Sequence, residues 1–77
     1  MKQLCQLVAE VLGVEPDAVN PETGPLALPQ WDSLNHMRLV ASVEETYAVQ
    51  LTIDEITNLL SVSDIAVLLQ EKGVHVD

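Results

Sequence analysis

Ser33, with Asp32 before it and His36 three residues after it, is the place in this 77-residue chain where side chains could do chemistry. A serine and a histidine one helical turn apart invite a hydrolase reading, with the imidazole as base. That mechanism also needs a group to orient the imidazole and donors for an oxyanion. No Gly-x-Ser-x-Gly elbow surrounds Ser33, and the other histidine, His75, sits in the tail. One cysteine and two distant histidines do not make a zinc set, and the acids lack the spacing of a calcium loop. Cys5 has only Lys2 as a basic neighbour and reads as a small hydrophobe at the edge of a core. The sequence therefore offers no catalytic set of its own, and the expectation is a protein that is not an enzyme.

What remains is the position of Ser33. Irregular, proline-broken chain precedes it, and a run with helical periodicity follows: Leu34, Met37, Val40, Ala41, Val43 and Tyr47. At such a junction the first backbone N–H groups have no intrahelical partner, and the helix dipole adds partial positive charge. A hydroxyl bearing a phosphate or phosphodiester is stabilised there. The plainer reading of Asp32-Ser33 is a helix cap, since both residue types favour that position.

The elements that must hold this junction follow from spacing. Leu4, Leu7, Val8, Val11 and Leu12 form one face of a first helix from Lys2 to Leu12, with Gly13 as its C-terminal cap. From Val14 to Gln30 periodicity fails, and all four prolines fall in that stretch. It reads as a long ordered loop with one turn near Pro16–Val19, tacked down by some of Val14, Val19, Leu26 and Leu28. A second helix runs from about Ser33 to Tyr47. Its buried side is Leu39, Val40, Val43 and Tyr47 with His36 among them; Leu34, Met37 and Ala41 form an adjacent strip flanked by Asn35, Arg38, Glu44 and Glu45, and its apolar spacing fits ordinary core as well as an outward face. Thr52-Ile53-Asp54-Glu55 is a capping box opening a short third helix to about Leu60, with Ile53, Ile56 and Leu60 at helical spacing. Ser61-Val62-Ser63-Asp64 is a second cap of that kind. It starts a fourth helix to Lys72 with Val62, Ile65, Ala66 and Leu69 on one face. The tail from Val74 to Asp77 reads as frayed. The pattern predicts an all-α fold: one domain, residues 1–77, a four-helix bundle with a long first loop and a short third helix.

Charge narrows the partners. Twelve acids against three bases give a net charge of −9. Nucleic acid and anionic membrane surfaces need the opposite sign, so neither is an expected partner; basic protein surfaces are. One cysteine allows no internal disulfide, which suits a reducing compartment. No apolar block behind basic residues marks a signal peptide, and no run reaches a membrane span. A cytoplasmic monomer with no membrane insertion is expected.

The order of these pieces resembles the acyl carrier protein family. The stretch from Asp32 to Tyr47 reads Asp-Ser-Leu-x-x-Met-x-Leu-Val-x-x-Val-Glu-Glu-x-Tyr, similar to that family's second helix. Val49-x-Leu51, Thr52 to Glu55 and Ser61-Val62-x-Asp64-Ile65 resemble its third helix and the start of its fourth. The resemblance implies a 4′-phosphopantetheine arm joined to Ser33 through a phosphodiester, with Asp32 helping a phosphopantetheinyl transferase to find the serine. It implies partners that load and process acyl groups held on the arm as thioesters. The strip of Leu34, Met37 and Ala41, with Arg38, Glu44 and Glu45 beside it, is then the face those enzymes touch. Asn35 and Arg38 stand where fatty-acid carriers tend to place acids, and Trp31 stands where they tend to place a small residue. Both point towards a specialised member, serving polyketide or other secondary-metabolite biosynthesis rather than housekeeping fatty acid synthesis. An aminoacyl or peptidyl carrier of a nonribosomal pathway and an unmodified acidic helical adaptor stay open as alternatives.

Overall fold

A computed structural model of the chain describes residues 2–76. Four α-helices, α1 (Lys2–Leu12), α2 (Ser33–Tyr47), α3 (Ile53–Thr57) and α4 (Val62–Glu71), account for its regular structure, with one 3-10 turn at Pro16–Ala18. No strand occurs among the described residues. The apolar stripes meet as their spacing requires. Leu4 and Val8 of α1, Leu39 and Val43 of α2, and Val62, Ile65 and Leu69 of α4 are completely buried against one another. Burying each of these side chains contributes about 1.5–3 kcal/mol before the entropy of ordering is counted.

Helix ends follow local chemistry. Gly13 (φ +72°) and Gly73 (φ +85°) take the left-handed conformation after α1 and α4. In both, the next residue's amide reaches back to satisfy a late carbonyl: Val14 N–H to Ala9 at 3.0 Å and Val74 N–H to Leu69 at 2.9 Å. α2 ends the same way on a residue less suited to it. Ala48 has φ 55°, ψ 48°, and Val49 N–H donates to the Glu44 carbonyl at 3.1 Å. A Cβ in that region is strained. Ala48→Gly should therefore stabilise the fold by about 0.5–1 kcal/mol, raising the melting temperature by about 4 °C. Thermal unfolding followed by circular dichroism checks this, and an unchanged or lower midpoint would count against the strain.

The third helix is shorter than its periodicity suggests. The Thr52–Glu55 capping box forms: Thr52 N–H donates to Glu55 Oε1 at 2.8 Å and Glu55 N–H to Thr52 Oγ1 at 3.2 Å. The helix nevertheless stops at Thr57 rather than near Leu60. Ile53 (76% exposed) and Leu60 (67%) lie outside, while Ile56 packs on the core and Leu59 enters it. The Thr52 amide, and after it Lys72 Nζ at 3.2 Å, hold the Glu55 carboxyl below its ordinary range. The tail also differs from expectation. Val74 and Val76 are half-buried against the core rather than frayed; Asp77 lies outside the described residues.

The long loop is fastened at its far side to α4. The first two amides of α4 take their acceptors from it: Val62 N–H donates to the Thr23 carbonyl at 2.9 Å and Ser63 N–H to the Pro21 carbonyl at 2.8 Å. Ser61 Oγ accepts from Asp64 N–H at 3.2 Å, the expected cap. The Asp64 carboxylate reaches one residue further back than a capping box would take it, to Leu60 N–H at 2.9 Å. The N-terminus of α4 is thus closed by the loop. Val19 is buried, Val14 and Leu28 pack against the core, and Leu26 is fully exposed.

Candidate functional site

Asp32, not Ser33, is the cap of α2. Its backbone is extended (φ −95°, ψ −176°), and its Oδ1 accepts from Asn35 N–H at 2.9 Å. Its carbonyl takes the first helical bond, from His36 N–H at 2.8 Å. Ser33 is consequently the first residue of the helix proper, with an exposed side chain. Three helices begin beside a hydroxyl, and they use it differently. Thr52 and Ser61 use theirs as caps for α3 and α4. The Ser33 hydroxyl has no hydrogen-bond partner among the described residues, and neither do the Ser33 and Leu34 amides. α4 closes its first two amides with loop carbonyls; α2 leaves its own facing outward around an uncommitted hydroxyl.

The loop side of this junction is held by Trp31 and His36. Trp31 is 2% exposed, and its backbone amide donates to the Leu28 carbonyl at 3.0 Å. Its indole N–H donates to His36 Nδ1 at 2.9 Å, with the rings stacked 6.2 Å apart. An indole nitrogen can only donate, so Nδ1 must accept and the imidazole hydrogen sits on Nε2. There it donates to the Ile56 carbonyl at 2.9 Å. One neutral imidazole therefore ties the loop, α2 and α3 together. Both ring nitrogens are engaged elsewhere, which removes His36 as a base for Ser33. His36→Ala leaves the indole donor and the Ile56 carbonyl without partners and should cost about 2 kcal/mol. Urea unfolding would measure it, with hydrogen exchange of the indole N–H as a local probe. A loss under about 0.5 kcal/mol would show that the bridge carries no stability.

Beside Ser33 lies a hollow of about 410 Å³, lined by Pro25, Trp31, His36, Thr57, Leu59 and Leu60 together with Asp32 and Ser33. The strip marked out by the sequence is exposed as expected: Leu34 (70%), Met37 (51%) and Ala41, with Arg38 and Glu45 beside them. Glu44 differs. It is half-buried, and its Oε2 accepts from Leu51 N–H at 2.9 Å, so it fastens the α2–α3 connection. Cys5 is half-buried and burial pushes its thiol upward, away from reactivity. No cluster of three or more potential metal ligands occurs among the described residues. No helix is long and apolar enough to cross a membrane.

The fold, a small acidic four-helix bundle with an exposed serine opening its second helix, is that of a carrier-type domain in comparison with known proteins. The family described as "Phosphopantetheine attachment site" matches residues 2–69. An acyl carrier protein from Bdellovibrio bacteriovorus is 33% identical over 67 residues, covering 87% of this chain and 86% of that protein. A meromycolate extension acyl carrier protein from Mycolicibacterium aurum is 28% identical over 68 residues, 88% of this chain and 70% of that one. A nonribosomal peptide synthetase from Aspergillus rugulosus is 38% identical over 72 residues, but this chain spans only 1% of its length. The solution structure of a holo acyl carrier protein from Geobacter metallireducens superposes with a TM-score of 0.80 at 30% identity, covering 91% of this chain and 80% of that one. The chain belongs to the acyl carrier protein family of phosphopantetheine-attachment domains, and its cofactor is a covalently attached 4′-phosphopantetheine.

Proposed function

We propose that Ser33 is the residue that carries the arm. The observation behind this is the uncommitted Ser33 hydroxyl, exposed at the start of α2 beside two outward-facing amides. A phosphodiester on Oγ fits there, since its negative charge meets those N–H groups and the positive end of a 15-residue helix. Asp32 fixes where the helix begins, and so keeps Ser33 in its first turn rather than in the loop. When bound, the arm supplies a terminal thiol that holds an acyl group as a thioester. The residues of this chain then present and orient it: Trp31 and His36 hold the loop against the base of α2, and Leu34, Met37 and Ala41 offer partners an apolar strip. His36 has no nitrogen to spare for Ser33, and in this reading the chain serves as a carrier while its partner enzymes supply the catalysis. In this reading residues 1–77 work as one cytoplasmic, monomeric domain. A phosphopantetheinyl transferase and acyl-loading and acyl-processing enzymes are its partners, in a specialised pathway.

The test is to incubate the apo protein with coenzyme A and a broad-range transferase. Intact mass should rise by one phosphopantetheine, and fragmentation should place it on Ser33. A protein that stays unmodified while a control carrier is fully converted would favour an unmodified acidic adaptor.

A further inference from the structure

One residue on the face around Ser33 runs against the charge of the molecule. The chain carries three bases against twelve acids. Lys72 is paired with Glu55, and Lys2 lies at the start of α1. Arg38 is the only base of α2, the helix that Ser33 opens. It is exposed and has no carboxylate within ion-pair distance among the described residues. It stands one turn after Leu34 and one turn before Ala41, within the exposed strip. Beside it a hollow of about 440 Å³ opens between α1 and α2, with Leu7, Val11 and Ala41 as apolar lining. Glu10 also lines this hollow, yet the two charges do not meet.

An enzyme that reaches Ser33 along the exposed side of α2 covers this strip. Long-range attraction to a −9 domain favours a basic enzyme surface. At Arg38 such a surface would set cation against cation, a contact that costs affinity unless a carboxylate stands there instead. A guanidinium offers a carboxylate two parallel N–H donors in fixed geometry, so the position rewards one acid strongly. We infer that Arg38 is a specificity-determining residue: the natural partners of this carrier have a surface that is basic overall and carries one carboxylate placed against Arg38. The inference rests on the reading of Ser33 as the modified residue. Arg38 then disfavours enzymes whose docking surface is uniformly basic.

A charge-swap cycle tests this and does not require the natural partner in hand. The probe is a broad-range phosphopantetheinyl transferase with a basic carrier-facing surface, together with a set of its single base-to-Glu variants. kcat/KM for modification is measured with wild type, Arg38→Ala and Arg38→Glu. With the unaltered transferase, Arg38→Glu should raise kcat/KM at least about threefold, and the gain should shrink as salt is added. At least one base-to-Glu transferase should prefer the wild-type carrier over Arg38→Glu by about fivefold, with Arg38→Ala between them. Equal rates for the three carriers with every transferase would overturn the inference and leave Arg38 as a solvated charge. Absence of any modification of the wild-type protein is a separate result, and it would remove the reading of Ser33 itself. Since Arg38 is exposed and unpaired, neither substitution should disturb folding, and matched circular dichroism spectra check that.

Discussion

Replacing Ser33 with alanine should abolish phosphopantetheine addition completely while leaving the fold as stable as before. The two halves of this expectation have different physical origins. With Ser33 as the proposed attachment point, loss of modification follows because the phosphodiester needs its oxygen, and the hydroxyls at the other two helix starts are committed. Ser61 and Thr52 also stand at helix starts, but each accepts a backbone N–H at 3.2 Å and is held as a cap. Preserved stability follows because the Ser33 side chain is exposed and its hydroxyl has no partner among the described residues. Alanine suits the first turn of a helix at least as well as serine, so the change in stability should stay within about 0.5 kcal/mol. Asp32→Ala should behave in the opposite way. It removes the cap on Asn35 N–H, should cost about 1 kcal/mol, and should slow modification without abolishing it, because the first turn frays around a hydroxyl that is still present. Intact mass after incubation with coenzyme A and a transferase gives one readout, and urea unfolding gives the other. Residual conversion of Ser33→Ala would move the attachment point elsewhere. A large loss of stability on Ser33→Ala would mean that the serine, not the aspartate, starts the helix.

The difference between Asp32 and Ser33 also shows where the sequence can be read and where it cannot. Period and punctuation are legible. Leu39, Val40 and Val43 are buried, and Gly13 and Gly73 end their helices, as their positions indicate; the exposure of Leu34, Met37 and Ala41 is what the family resemblance implied, since apolar spacing alone fits core equally well. The burial and the helix ends depend on neighbours within one or two turns. Contacts between distant segments are not legible. Nothing in the spacing says that the indole of Trp31 will find His36, or that His36 will reach Ile56, twenty residues away. Glu44 looks like a surface acid on a helical wheel, yet its carboxylate turns to Leu51 N–H in the following connection. Ile53, Ile56 and Leu60 keep helical spacing, and that spacing alone carries the third helix too far. Once the chain leaves the helix at Thr57, Leu59 rather than Leu60 reaches the core. Val74 and Val76 read as a frayed end because a tail of four residues has no period to show its packing.

Gly24 is the clearest residue of this hidden kind, and Gly24→Ala should be among the most damaging single substitutions in the loop. A Cβ built on Gly24 would lie 2.0 Å from the Leu60 carbonyl oxygen and 3.0 Å from its carbon. The obstacle is backbone, so no side chain can turn aside, and the loop must lift from α4. Lifting it stretches the two bonds that close the start of α4, Thr23 carbonyl to Val62 N–H and Pro21 carbonyl to Ser63 N–H. Overpacking costs about 1–3 kcal/mol and each weakened bond about 0.5–1.5 kcal/mol. Reduced freedom of the unfolded chain returns about 0.4–1 kcal/mol. A net loss of about 3 kcal/mol is expected, lowering the melting temperature by at least about 12 °C. Gly13→Ala is the informative control. Gly13 has a positive φ (+72°) but open space around its missing Cβ, so its cost is conformational strain less the same unfolded-chain return, about 0.5–1 kcal/mol. If close approach governs Gly24, hydrogen exchange should rise at the Val62 and Ser63 amides in Gly24→Ala and stay unchanged there in Gly13→Ala. Because Pro25 and Leu60 also line the hollow beside Ser33, the Gly24 variant should be modified more slowly than Gly13→Ala at temperatures where both are folded. A Gly24→Ala protein within about 0.5 kcal/mol of wild type would mean that the loop can stand off α4 freely and does not position the start of α2.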